Sequence, residues 1–191
     1  MKTPVRLANT LKVMMEDTAL EQISVKALTE EVSINRQTFY YYFRNVYDLL
    51  AEIYLNEKIP NLNEAKTWEQ VLTAIFAYTD NNLAFIRNTL SSIGRDLFKE
   101  FIYSALYRSH LRLLNEHKHA DKLSHDDKKF IASLYAPMFA NIIVQYAEGV
   151  IKTPPLQLIE QLKVLLGNYL REAVDNIINY RNKKGVTNER L

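Results

Sequence analysis

Between Ser24 and Leu50 the chain reads SVKALTEEVSINRQTFYYYFRNVYDLL, two short helical patterns joined by a tight turn. In the first, Val25, Leu28 and Val32 recur on one face of a helix, and Ser24 stands where a hydroxyl can cap it. Ser33-Ile34-Asn35 breaks the run, and Asn35 can cap a second helix from Arg36 to Phe43. A helix that short is not stable alone, so Phe39 and Phe43, four apart, must dock on neighbours. Arg36, Gln37, Thr38, Tyr40, Tyr41 and Tyr42 are left on its outer surface. Successive helical residues point about 100° apart, so the three tyrosines cannot all face a core. A helix-turn-helix sets its second helix in a major groove with its N-terminal residues at base edges. There Arg pairs with guanine and Gln with adenine, while tyrosine hydroxyls anchor to phosphates without reading sequence.

The run Ile34 to Phe43, followed by Tyr47-Asp48-Leu49-Leu50, resembles the TetR family of bacterial transcriptional regulators. Its members typically read V-S-R-x-T-F-Y-x-H/Y-F and then K-x-x-L. The likeness covers roughly residues 5 to 55, without a gap from Ser24 through Leu50. By resemblance the DNA-binding residues are Ser24, Lys26, Asn35, Arg36, Gln37, Thr38, Tyr40, Tyr41, Tyr42 and Arg44, with Tyr40 and Tyr42 the better phosphate candidates. Two positions depart from the pattern. Ser33 stands where many members have Gly, so the turn is made without the residue that best tolerates positive φ. Val46 stands where a phosphate-contacting Lys is common, leaving Arg44 or Asn45 to substitute.

Charge pulls the other way. Net charge over 191 residues is only +2, and residues 1–57 carry six Lys and Arg against eight Asp and Glu. A nucleic-acid binder usually shows a basic footprint, so the positive groups must cluster on one face. Modest affinity per half-site and reliance on a dimer follow. The low counts of glycine (4) and proline (5) argue against a turn-rich β fold. With no cysteine there is no disulfide framework or thiolate metal site. No leader segment and no run long enough to span a bilayer is read from the chain, so the cytoplasm is expected.

Helical periods continue on both sides. Residues 3–19 carry the stripe Leu7, Leu11, Met14, Met15, which packs across the two short helices, while Lys2 and Arg6 either approach a phosphate backbone or stay solvated. A fourth helix starts at Asn45 and runs to about Lys58, and Pro60 marks the boundary. Residues 1–58 are thus expected as the DNA-binding domain and 60–191 as a helical domain. Further helices are read from Thr67, over Leu83–Leu90, over about Arg95–Lys118, from the Ser-x-x-Asp cap at Ser124 to Val150, and over about Leu156–Asn182, with a polar tail after Lys183. That gives an all-α fold of about nine helices. Pro137 inside the eighth removes a hydrogen bond and usually bends a helix, which can open space beside it.

The last two helices carry more than one apolar stripe, and a surface helix needs only one. The second stripe must meet something, most simply another copy of the chain. The resemblance implies a four-helix dimer interface here, with Ile142, Ile143, Tyr146, Leu162, Leu166, Tyr169, Leu170, Ala173 and Ile177 as candidates. Such a homodimer sets two recognition helices in successive major grooves about 34–36 Å apart. The resemblance also implies an effector site among Tyr78, Phe85, Phe98, Phe101, Ile102, Tyr135 and Phe139, residues that otherwise simply fill a core. An effector favouring one tilt of the fourth helix would change head spacing. Gly94 to Phe101 and Phe139 to Ile143 are more loosely similar to TetR-like regulators of the dihydroxyacetone kinase operon type, some of which activate with a protein coactivator.

His117-x-His119 near His125 lacks the ligand pattern of a metal site. No phosphate loop, nucleophile elbow or H-E-x-x-H motif is present, so neither catalysis nor a cofactor is expected. The expectation is a homodimeric, TetR-like regulator, acting as a repressor on a near-palindromic operator. Its alternative is a helical interaction module, or coactivator-dependent activator, with weak DNA affinity or none.

Overall fold

Pro4 in its first turn opens α1 (Thr3–Asp17), whose Leu7, Leu11 and Met15 are fully buried. The computed structural model describes residues 2–188, without the side chains of 184–188. Helix α2 (Val25–Glu31) and α3 (Arg36–Tyr42) follow, capped as the sequence predicts. Ser24 Oγ accepts from the Ala27 amide at 3.1 Å, and Asn35 Oδ1 from the Thr38 amide at 2.8 Å. Ser33 takes the left-handed turn position, with φ +55°, a strain that Gly would not carry. Asn45 caps α4 (Val46–Asn56) through the Asp48 amide, and the helix ends two residues before the expected Lys58, just past its buried face of Leu49, Leu50, Ile53 and Tyr54. Leu28, Val32, Phe39, Phe43 and Leu49 close over the α1 stripe to form one buried core.

The body comprises α5 (Trp68–Asn81), α6 (Leu83–Leu90), α7 (Arg95–Asn115), α8 (His125–Ala147), α9 (Pro155–Leu166) and α10 (Tyr169–Asn188). Ser124 and Asp127 form the expected capping box of α8. The expected last helix is two helices: Gly167, at φ +52° and ψ −128°, breaks it. Helical periodicity continues across the break, which is why the sequence reads as one helix. The expected polar tail falls partly on α10, which runs to Asn188, and otherwise lies outside the described residues. Helix α8 is also long and apolar enough, by length and composition, to cross a membrane, contrary to the sequence reading. Here its Ala132, Ala136, Phe139, Ile143 and Ala147 are instead buried in the body. Beside Pro137 lies a cavity of about 350 Å³, lined from α7 by Lys99 and Tyr103.

Head and body meet along a polar seam. Asn88 of α6 donates to the carbonyls of Met15 (3.0 Å) and Thr18 (2.7 Å) and accepts from the Leu20 amide (3.3 Å). It thereby satisfies carbonyls left open at the end of α1. Glu21 accepts from the Ile93 amide at 3.2 Å, and Tyr54 donates to Thr89 Oγ1 at 3.1 Å. Gly94 lets α4 sit this close: a Cβ there would lie 2.5 Å from Leu50 Cδ2.

One buried titratable group fixes the far end of the body. His110, 1 % exposed, lies 2.7 Å from the Leu106 carbonyl through Nδ1 and 2.7 Å from the Tyr169 hydroxyl through Nε2. A carbonyl only accepts, so Nδ1 carries the proton and neutral Nε2 accepts from Tyr169. Burial holds the His110 pKa below its ordinary 6.5, partly offset by the Leu106 bond. The unfolded chain therefore binds the extra proton first. Stability from this group is whole above pH 6.5 and falls by up to about 1.4 kcal/mol per pH unit below it, until the folded pKa is reached. Urea midpoints at pH 7.5 and 5.5 are expected to differ for the wild type, with a smaller difference in His110→Gln. Equal differences in both proteins would refute the assignment.

Candidate nucleic-acid interface

Seven residues of α3 cannot hold themselves together, so the geometry of its outer face is set from beneath. Phe39 is fully buried, with its ring 5.8 Å from Phe43 and 5.5 Å from Tyr40. Arg6 of α1 donates to the Val32 carbonyl, where α2 ends and the turn begins. Arg6 is thus not simply solvated: it braces the turn, while Lys2 is exposed.

On this platform Arg36 and Gln37 are exposed, as are Tyr40, Tyr41 and Tyr42, with Tyr41 the most open at 82 %. The Tyr41 and Tyr42 rings meet edge to face at 4.9 Å, which limits how either can swing. Thr38 is half-buried, and its hydroxyl donates to Asn35 Oδ1 at 3.0 Å. Asn35 and Thr38 are therefore committed to the cap, and Ser24 caps α2 with its own oxygen. Lys26 is exposed in a loose pair with Glu30 at 3.8 Å. The Arg44 amide bonds Asp48 at 3.0 Å, leaving its exposed side chain beside the start of α4. Val46 is half-buried and apolar, but neighbouring Tyr47 is exposed in the same first turn. Sequence reasoning passed over Tyr47; its place two residues after the Asn45 cap is the signal that would have found it.

Several acidic groups of the N-terminal region are engaged by partners, although the pairing of Glu57 consumes Lys12 as well and leaves the excess unchanged. Glu57 pairs with Lys12 at 2.9 Å, Glu21 faces the body at Ile93, and Asp48 closes the turn before α4. The face carrying Arg36, Gln37 and the tyrosines thus offers a guanidinium fork, an amide with both donor and acceptor, and phenolic hydroxyls. These groups suit base edges and phosphate oxygens.

The expected effector residues do not surround one cavity. Phe98, Ile102 and Phe139 are wholly buried, packed by neighbours from several helices. Tyr135 is half-buried, with its ring 4.2 Å from Tyr169. Tyr78 and Phe101 do reach open space. Phe101 lines a cavity of about 540 Å³ under the connector between α4 and α5, and Tyr78 lines one of about 450 Å³ on its other side. Phe85 stacks on Tyr54 at 5.7 Å.

Among the expected dimer residues, Ile143, Leu162, Tyr169 and Leu170 are buried within the protomer. Ile142, Tyr146, Leu166, Ala173 and Ile177 are half-buried, and the Tyr146 hydroxyl donates to Asp80 at 2.6 Å. The cause is that α8 packs chiefly on α7, with α9 against α5 and α10 touching α8, which consumes those stripes. Among the described residues of α8, α9 and α10, the large apolar side chains left outside are Phe130 and Leu134 of α8, at 60 % and 55 % exposed, with Tyr180 of α10 and Leu156, Val164 and Leu165 of α9.

A TetR family model described as a transcriptional regulator C-terminal region matches residues 66–168. The chain is 26 % identical over 176 residues to the HTH-type dhaKLM operon transcriptional activator DhaS of Lactococcus lactis subsp. lactis, covering 91 % of this chain and 85 % of that protein. In structure it resembles a dihydroxyacetone kinase operon activator DhaS (TM-score 0.62, 24 % identity, 91 % of this chain and 96 % of the other). It also resembles the TetR family repressor AlkX from Dietzia sp. strain DQ12-45-1b, implicated in biodegradation of n-alkanes (TM-score 0.58, 17 % identity, 91 % and 97 %). The last two likenesses speak to the fold.

Proposed function

The chain belongs to the TetR family of transcriptional regulators, and on that premise we propose that it is a homodimeric, sequence-specific DNA-binding protein of the cytoplasm. Residues 1–58 form the reading head and 60–191 the regulatory and dimerising body. Arg36 and Gln37 read base edges, and Tyr40, Tyr42, Arg44 and Tyr47 hold phosphates. Tyr41 is placed to do either. Asn35, Thr38 and Ser24 act by fixing the two helices rather than by reading. Phe130 and Leu134 form the centre of the face between protomers. The observation that carries this reading is the outer surface of α3, five exposed hydrogen-bonding side chains on a helix that is capped, docked and braced.

Two substitutions separate reading from anchoring. Arg36→Ala is expected to cost about 1–3 kcal/mol on the preferred duplex and to relax the sequence preference, because a bidentate base contact is lost. Tyr42→Phe is expected to weaken all duplexes alike. Titration of preferred and scrambled duplexes checks both. An Arg36→Ala protein with unaltered affinity and preference would overturn the role given to α3.

The sense of regulation has two readings. Repression follows from an operator-blocking dimer; activation is favoured by the named function of the Lactococcus relative. A reporter behind the bound promoter separates them: removing the protein raises expression in the first case and lowers it in the second.

A further inference from the structure

At the seam between head and body, a head ammonium sits in a seat built by the body and the connector. Lys12 Nζ of α1 lies 2.9 Å from Glu57 Oε1 and 5.4 Å from the centre of the Phe85 ring. Tyr54 stacks on Phe85 and lies 5.5 Å from Phe101, which in turn lies 5.6 Å from Tyr78. The Tyr78 hydroxyl is buried with no partner at full hydrogen-bond geometry, yet lies close enough to the Glu57 carboxylate to feel both its charge and a weak hydrogen bond. A carboxylate beside aromatic faces is the chemistry that receives ammonium groups. The cavity of about 540 Å³ opens beside this seat, with Glu57 and Phe101 in its wall. Three cations also line that wall against Glu57 and Glu64: Lys58, Arg108 and Arg112, the last with its guanidinium on the Leu62 and Ala65 carbonyls. Lys12 and Glu57 are only 24 % and 17 % exposed, so the pair is not a freely solvated one.

We propose that this seat binds a small organic cation, and that Lys12 is its built-in competitor. An incoming ammonium enters the cavity, takes Glu57 from Lys12 and places its charge against the aromatic rings. The Tyr78 hydroxyl supplies a further acceptor. Lys12 then leaves for solvent, and α1 loses its tie to the end of α4 and its contact with the Phe85 ring of the body, while the Asn88 bonds and the packing of α1 on α6 remain. The regulatory consequence rests on α1–α4 being a DNA-binding head: head orientation shifts by as much as the cation prefers the released state.

The test uses the full chain, with choline as probe and, as control, its neutral carbon isostere in which a tert-butyl group replaces the trimethylammonium. By calorimetry, Lys12→Met is expected to bind choline at least about tenfold more tightly than the wild type, because the competitor is gone. Adding Glu57→Gln to that variant should abolish the gain, and the isostere should show no gain. Lys12→Gln provides a second vacated seat, and helical circular dichroism checks that each variant is folded. Equal choline affinity in wild type, Lys12→Met and Lys12→Gln, or equal gain for the isostere, overturns the seat. A second arm measures wild-type duplex binding in choline chloride against sodium chloride of equal strength. Greater weakening in choline upholds the coupling, and equal weakening overturns it. Tighter choline binding in Lys12→Met upholds the seat even if no duplex is bound, in which case it is the reading head that fails.

Discussion

The Phe130→Glu, Leu134→Glu double variant is expected to be a monomer that has lost its operator affinity. The two side chains stand one turn apart on the outer face of α8 and remain more than half exposed, while its other face is packed into the body. Fully burying a large apolar side chain contributes about 1.5–3 kcal/mol, so two from each protomer that start a little over half exposed give roughly 3–7 kcal/mol gross, and the exposed Leu156, Val164, Leu165 and Tyr180 must supply the rest. A micromolar dimer needs about 8 kcal/mol. Four carboxylates facing one another in that patch would remove this gain and add repulsion. A lone head has one short recognition helix and few free cations, so it depends on its twin. Linking two binding events raises affinity by about a hundredfold to ten-thousandfold, and that factor is what the variant should lose. Sedimentation velocity gives the mass and duplex titration the affinity. A variant that still sediments as a dimer would show that the protomers meet on another face.

Phe39→Ala is expected to cost about 3–5 kcal/mol, the range for emptying a buried aromatic site. Phe39 has no exposed surface and is the main anchor of a seven-residue helix with no independent stability. Asn35 can cap α3 only while α3 exists, and the Arg6 brace acts on the turn before it. The loss should therefore appear as melting of the head. Thermal denaturation should start well below that of the wild type, duplex binding should vanish, and the body should keep its mass in sedimentation. A shift below about 1 kcal/mol, outside the range for such truncations, with binding intact would mean that α3 is held by something other than its core face.

Local chemistry made most of the fold legible in the sequence. Ser24, Asn35, Thr67 and Ser124 each cap the helix they precede, because a short polar side chain before an apolar period has few other uses. Gly167 escaped because the periods on its two sides join without a phase break. The direction of the apolar stripes was not legible either. Ile143 and Tyr169 carry the same signal whether they face their own core or a partner, and only the tertiary packing of α8 on α7 and of Tyr169 against Trp68, His110 and Phe139 tells them apart. The aromatic residues behave alike: Phe139 is core, whereas Phe101 edges a cavity, and periodicity does not distinguish them. The polar seam was the least legible part. Asn88 lies about seventy residues from the carbonyls it bonds, and Lys12 and Glu57 read as ordinary charges until α1 and the connector are brought together.

The most direct test is binding of the purified protein to duplex DNA from upstream of its own gene, against a scrambled duplex, at two salt concentrations. Tight binding to the native duplex is expected, with two protomers per site. The salt dependence should have a slope that counts phosphate contacts at roughly one per unit, and binding to the scrambled duplex should be much weaker. Equal, weak binding to both, unchanged in Arg36→Ala, would contradict the claim that α3 is a DNA-reading helix.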